Sequence, residues 1–261
     1  MSLFDQMPGL ADFATTAHWL SLRGWSEGAG GNMSVRLEHP FDARPGEEID
    51  LPVHVPHLAG MSIMFTGSGT RARETALHPA RDIGVYQIGA DGKSYAWLAG
   101  NQKPTIELPA HCAIHNALAK HRPEDRAIMH THPANLIALC HDPKLGDGAK
   151  ISDTILRLQS EALLHLPEGI GYVPHQFPGS LDLGLASAKL VDRHRLVLWH
   201  MHGCLATGKD LATAFDYMEY FEKCAGIYWA LRAAGINPVG MSDEDIKKTL
   251  IHFGQLDRYR P

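Results

Sequence analysis

Short apolar runs that stop abruptly set the strongest limit on how this chain folds. The run at 61–65 passes straight into the glycine turn TGSGT, and the run at 126–132 is cut by Pro133. The run at 195–200 gives way within three residues to Gly203, and the segments 83–88 and 94–98 are separated by an Asp91-Gly92 turn. Runs this short, bounded by turn residues, read as strands, and a proline that cannot donate to a ladder ends one cleanly. Between them lie stretches of helical period. Phe13, Ala17, Leu20 and Leu22 precede Gly24, and Leu108, Cys112, Ile114 and Leu118 follow Thr105. PANLIALC opens a further helix, and others are expected at 151–158 and 181–194. Asp210 is placed to cap a long helix through Leu211, Phe215, Met218 and Leu231, and Ser242 with Asp245 opens a terminal one. The segment 38–60, rich in proline and histidine, is expected to be irregular.

Alternating strands and helices with hairpin-like neighbours predict one α/β domain over residues 1–261, built on a mixed sheet. A formal net charge of -5 with no basic cluster argues against nucleic acid or an anionic membrane as partner. No run of about 18 apolar residues is present to span a bilayer. The first twenty residues lack the basic-then-apolar order of a signal peptide, so a cytoplasmic protein is expected. The four scattered cysteines form no Cys-x-x-Cys pair and are expected to be free thiols.

Histidine is over-represented, with 17 in 261 residues, and four of them fall into two His-x-His pairs. In AIMHTHPANL, strand alternation puts His130 and His132 on one face at the strand end, where two imidazoles suit zinc. LVLWHMHGCL offers His200 and His202 as sources of a further ligand, with Gly203 behind them to let backbone come close. Catalysis at such a metal also needs a carboxylate for proton transfer, and Glu107 in PTIELPAH and Glu161 in LQSEALLHLPEG are the candidates. The glycine turns in GAGGNMS and TGSGT could gather backbone N–H groups into a nest for an anion.

Six segments in order, from GWSEGAGGNMSVRL through FTGSGTRAR, PTIELPAH, IMHTHPANLIAL and LPEGIGYVPHQFPGS to LVLWHMHGCLATG, resemble the class II aldolase family over nearly the whole chain. The resemblance implies a three-layer α/β/α sandwich on a mixed, largely antiparallel central sheet. It implies one Zn2+ per subunit on His130, His132 and His202, with His200 left out. Glu107 matches the catalytic carboxylate, and Glu161 one that reaches a neighbouring subunit's site, which implies a homotetramer with the site near a subunit interface. Gly31, Asn32, Thr66, Gly67, Ser68, Gly69 and Thr105 match the residues that bind the substrate phosphate, while Ala29 and Ile106 replace an Asn and a Ser donor. The reaction implied is reversible cleavage of a ketose 1-phosphate, L-rhamnulose 1-phosphate above all, to dihydroxyacetone phosphate and L-lactaldehyde. The same scaffold also serves sugar-phosphate epimerases and dehydratases, and adducin heads that assemble without catalysis.

Overall fold

A computed structural model describes residues 7–259 of the chain. The ends of the 1–261 reading, and the first six residues of the N-terminal segment, lie outside the described residues. The elements run α1 (Leu10–Arg23), β1 (Asn32–Arg36), β2 (Glu48–Asp50), β3 (Ser62–Thr66), α2 (Ala72–Thr75), α3 (Pro79–Asp82), β4 (Ile83–Ile88) and β5 (Ser94–Gly100). They continue through α4 (Leu108–His121), β6 (Ala127–Thr131), α5 (Ala134–Leu139), α6 (Gly148–Leu156), α7 (Ser160–His165) and β7 (Ile170–Val173). The last are α8 (Leu181–Ala188), β8 (Leu196–Trp199), β9 (Gly203–Gly208), α9 (Leu211–Ala233) and α10 (Asp243–His252).

The strands form one sheet in the order β2-β5-β4-β3-β1-β6-β9-β8-β7. Only β7 and β8 pair in parallel, and every other neighbouring pair is antiparallel. Apolar side chains cover both faces. On one face Phe13 and Leu20 of α1 and Met218 and Phe221 of α9 pack with Met33, Met64 and Met129. On the other, α4 and α8 press Ile114, Leu118 and Leu183 against Ile128, Val197 and Leu205. Burial on both sides explains why β8 reads as an unbroken apolar run and why β6 opens with Ala127, Ile128 and Met129 in succession instead of alternating. It also leaves Ser34 of β1 buried against His111 and His115 of α4.

Most of the expected elements form where the sequence puts them. Asp210 and Ser242 cap α9 and α10, accepting from the N–H groups of Thr213 and Asp245. Two readings are corrected, and one strand carries no sequence signal. Leu22 is 65% exposed, because the buried face of α1 runs through Leu10, Phe13, Ala17 and Leu20. The segment 38–60 carries β2, an edge strand with all three side chains exposed, held by backbone pairing to β5 and so without an apolar signature. The stretch Ile170–Val173, unmarked by any periodicity, is the edge strand β7. The four cysteines are free.

Candidate metal and catalytic site

The sheet order makes the site. β6 lies between β1 and β9, so the C-terminal end of β6 meets the start of β1 on one side and the start of β9 on the other. His130 sits on β6 and His132 one residue beyond its end, as the alternation argument required. His202 arrives from the turn joining β8 to β9. One ring nitrogen from each of His130, His132 and His202 lies within 4.8 Å of the others.

Hydrogen bonds fix which nitrogens face inward. His130 Nδ1 sits 3.2 Å from the Cys204 carbonyl, which can only accept, so Nδ1 carries the proton and Nε2 the lone pair. His132 Nδ1 likewise donates to the Glu27 carboxylate at 2.8 Å. The two Nε2 atoms then stand 3.3 Å apart. Two nitrogens bound to zinc at about 2.0–2.1 Å with tetrahedral angles are separated by roughly 3.3 Å, so this spacing suits zinc. Burial, followed by the neighbouring histidines, holds His130 well below the usual imidazole range, and burial with His132 and His175 lowers His202 to about 4. Both are therefore neutral with a lone pair to give, and the buried Nδ1 of His202 has no hydrogen-bond partner. Trp199 walls the group, its ring 4.3 Å from that of His130 and 5.1 Å from that of His202.

Close approach here depends on glycine. A Cβ on Gly203 would lie 2.6 Å from the Thr131 carbonyl and 2.7 Å from the His130 ring, and one on Gly30 would lie 2.8 Å from the His132 ring. The glycines of GAGGN thus make room for the histidines as well as turning the chain. His200 is carried elsewhere. The apolar run 195–200 predicts a strand reaching His200, but β8 ends at Trp199 and both His200 and His202 lie in the turn after it, where Met201 takes a left-handed φ of 54°. Same-face alternation does not hold through such a turn, and His200 instead bonds to the Tyr172 hydroxyl.

Glu107 immediately precedes α4 and is buried, accepting from Asn32 Nδ2 at 2.9 Å. Burial raises its pKa, only partly offset by the Asn32 hydrogen bond and the nearby His132. Thr105 turns its hydroxyl oxygen to the Glu107 N–H at 3.3 Å. Other members of the expected phosphate set are already engaged within the fold. The Thr66 hydroxyl exchanges hydrogen bonds with the Met33 backbone. The N–H groups of Gly67 and Ser68 donate to the carbonyls of Asp82 and Lys103, so they do not converge as an anion nest. Ser68 and Gly69 line a small open pocket with Thr70, Arg71 and Arg81. Gly31 and Asn32 line another small pocket with Thr66, and Ile106 is 72% exposed against Gly179. Glu161 is exposed in the first turn of α7, where its charge acts on Tyr220 and Cys224 of α9.

Three participants escaped the sequence reading. Glu27 had no signal beyond an acid beside a glycine turn. Trp199 read as one more apolar strand residue. His111 stands four residues after Glu107 on α4, a spacing that puts the two on one helix face and could have been noticed.

Residues 11–229 match the family described as Class II Aldolase and Adducin N-terminal domain. A protein of Bacteroides thetaiotaomicron named rhamnulose-1-phosphate aldolase is 32% identical over 263 residues, covering 97% of this chain and 98% of its own. One of the same name from Enterobacter sp. is 35% identical over 253 residues, with 93% of this chain and 89% of its own covered. The crystal structure of a sugar-phosphate aldolase from Thermotoga maritima superposes with a TM-score of 0.79 at 34% identity, covering 88% of this chain and 97% of that one. With residues 11–229 matching that family, relatives 32% and 35% identical over most of the chain, and a sheet that brings His130, His132 and His202 together, this chain belongs to the class II aldolase family.

Proposed function

We propose that this class II aldolase holds one zinc ion on His130, His132 and His202 and reversibly cleaves L-rhamnulose 1-phosphate to dihydroxyacetone phosphate and L-lactaldehyde. The observation that carries the reading is the trio of histidine nitrogens within 4.8 Å, with the inward Nε2 atoms of His130 and His132 set by the bonds to Cys204 and Glu27. The names of the relatives at 32% and 35% identity supply the sugar.

A zinc ion bound there supplies Lewis acidity toward the ketose carbonyl and its neighbouring hydroxyl. The chain's own residues supply the rest. In the condensation direction the Glu107 carboxylate takes a proton from the carbon of dihydroxyacetone phosphate that forms the new bond. A carboxylate is a weak base toward carbon, and burial that raises its pKa makes Glu107 a better one. Glu161 from a neighbouring copy protonates the aldehyde oxygen as the bond closes, in a homotetramer whose sites lie near subunit interfaces. Asn32, Thr105 and the turns holding Gly31, Thr66, Gly67, Ser68 and Gly69 receive the phosphate through donors other than the Gly67 and Ser68 N–H groups and the Thr66 hydroxyl, which stay on Asp82, Lys103 and Met33. We assign the whole of residues 1–261 to one catalytic domain and place it in the cytoplasm. Among the described residues no helix is long and apolar enough to cross a membrane.

The test is a panel of ketose 1-phosphates, each paired with its unphosphorylated counterpart, assayed for release of the three-carbon ketone by zinc-loaded protein. Cleavage of L-rhamnulose 1-phosphate ahead of its epimers supports the reading. Epimerisation or loss of water without carbon–carbon cleavage would replace it with another reaction on the same scaffold.

A further inference from the structure

Beneath Glu107 lies a set of buried polar side chains that the metal does not need. Asn32 Nδ2 is 2.9 Å from Glu107 Oε2, and Asn32 Oδ1 is 2.5 Å from His111 Nε2. His111 Nδ1 is 2.6 Å from Ser34 Oγ, which is 2.8 Å from His115 Nε2. Ser34, His111 and His115 are fully buried between β1 and α4.

The chemistry of each group permits one direction for this chain. An ionised Glu107 only accepts, so the Asn32 nitrogen must face it, and the amide oxygen must then face His111. That oxygen also only accepts, so His111 carries its proton on Nε2. Burial pushes His111 down to about 3, which leaves it neutral, with a lone pair on Nδ1. Ser34 must spend its single proton on that lone pair, and its oxygen accepts from His115 Nε2. His115, held neutral by burial, by His111 and by Arg36, is left with a bare lone pair on Nδ1. That atom is the one buried nitrogen of this set without a partner, as the direction requires.

We propose that this one-way chain, His115 to Ser34 to His111 to Asn32, orients Asn32 and through it the Glu107 carboxylate, so that His111, Ser34 and His115 are positioning residues for the base. An asparagine amide can turn over, and turned over it would set its oxygen against the carboxylate. The N–H of His111 removes that choice, and the His115 end holds the order, because reversing every bond would leave a buried His115 Nδ1–H with no acceptor. The histidines are thereby assigned to holding geometry and not to ligating the metal or moving the substrate proton.

The proposal rests on the aldolase reading only in giving Glu107 a proton to take, and its test keeps the two apart. Neutron diffraction from deuterated crystals of the wild-type protein reads the order of donors without any turnover. Deuterium on Nε2 and not Nδ1 of both His111 and His115 is the expected result, and deuterium on His111 Nδ1 would overturn the chain. Exchange of the dihydroxyacetone phosphate proton with solvent deuterium then reads its effect. His111→Leu lowers the exchange rate about 10- to 100-fold, the scale of a misplaced catalytic group, with zinc content unchanged. His111→Gln, which keeps a donor near the Nε2 position, recovers most of the rate. Equal losses in the two variants would overturn the positioning role. If wild-type protein has the expected deuterium order yet exchanges no proton on any ketose phosphate, the order stands and the aldolase reading fails.

Discussion

Glu107 carries two opposed demands at the scale of a single residue. In its proposed role as base it must be ionised, yet it is only 6% exposed, and burial favours its neutral form. The sign of the consequence follows from linkage. A carboxyl with a raised folded-state pKa contributes stability at low pH and loses it as pH rises through that folded value. Metal-free Glu107→Gln is therefore expected to melt higher than metal-free wild type at pH 8, with the difference shrinking towards pH 4. The same variant keeps its zinc, because the histidines remain, but turns over at least about 100-fold more slowly for want of a base. Calorimetry across pH and a steady-state assay check the two halves, and a Gln variant as active as wild type would remove Glu107 from the mechanism. His202→Ala tests the metal separately. With one of three ligands gone and Trp199 facing the space, bound zinc falls from about one per chain to a small fraction, and activity falls with it. Metal analysis of the purified variant decides the point.

Among the elements, α5 is the one whose placement serves the site most directly. It begins at Ala134, two residues after His132, and is only six residues long, too short to hold itself in place. Its N-terminal N–H groups are met by Glu222 from the middle of α9. That carboxylate accepts from Asn135 N–H at 3.1 Å, from Asn135 Nδ2 at 2.8 Å and from Leu136 N–H at 2.9 Å. Burial raises the pKa of Glu222, and these three donors offset that only in part. A negative charge at a helix N-terminus is the favourable arrangement, and bonds to a charged acceptor are worth roughly 1.5–3 kcal/mol each. Glu222→Ala is expected to cost about 2–4 kcal/mol after the relief of burying the charge. It should also weaken zinc binding, since His132 loses the anchor of the segment that follows it. Urea unfolding and zinc titration read these separately, and a lower midpoint with unchanged zinc affinity would uncouple α5 from the site.

Over the whole molecule, the question is what completes the site. The three histidines come together within one chain, whereas Glu161 is exposed and its charge acts on Tyr220 and Cys224 of α9. If Glu161 acts on the substrate of a neighbouring copy, activity must follow assembly. Sedimentation at assay concentration is expected to give a tetramer of the 28.7 kDa chain. Mixing inactive Glu107→Gln with inactive Glu161→Gln subunits should restore part of the activity, because some sites then draw both carboxylates from intact copies. A fully active monomer, or mixed subunits that stay inactive, would confine the chemistry to one chain.

Much of this was legible from local sequence, because it depends on local geometry. Strand alternation followed by Pro133 placed His130 and His132 together, and Asp210 and Ser242 marked their helix starts by side-chain chemistry alone. Where the structure was needed, the deciding contacts join residues far apart in sequence. Glu27 meets His132 across 105 positions, and Asn32 meets Glu107 across 75. The edge strands β2 and β7 form because a neighbouring ladder offers them backbone partners, which no side-chain pattern announces. The choice of His202 over His200 was carried by the resemblance and not by spacing, and the turn after β8 gives its physical cause, sending one ring to His130 and His132 and the other to Tyr172. The order of protons from His115 to Asn32 belongs wholly to tertiary structure, since a neutral imidazole takes its tautomer from the partners that packing brings to it.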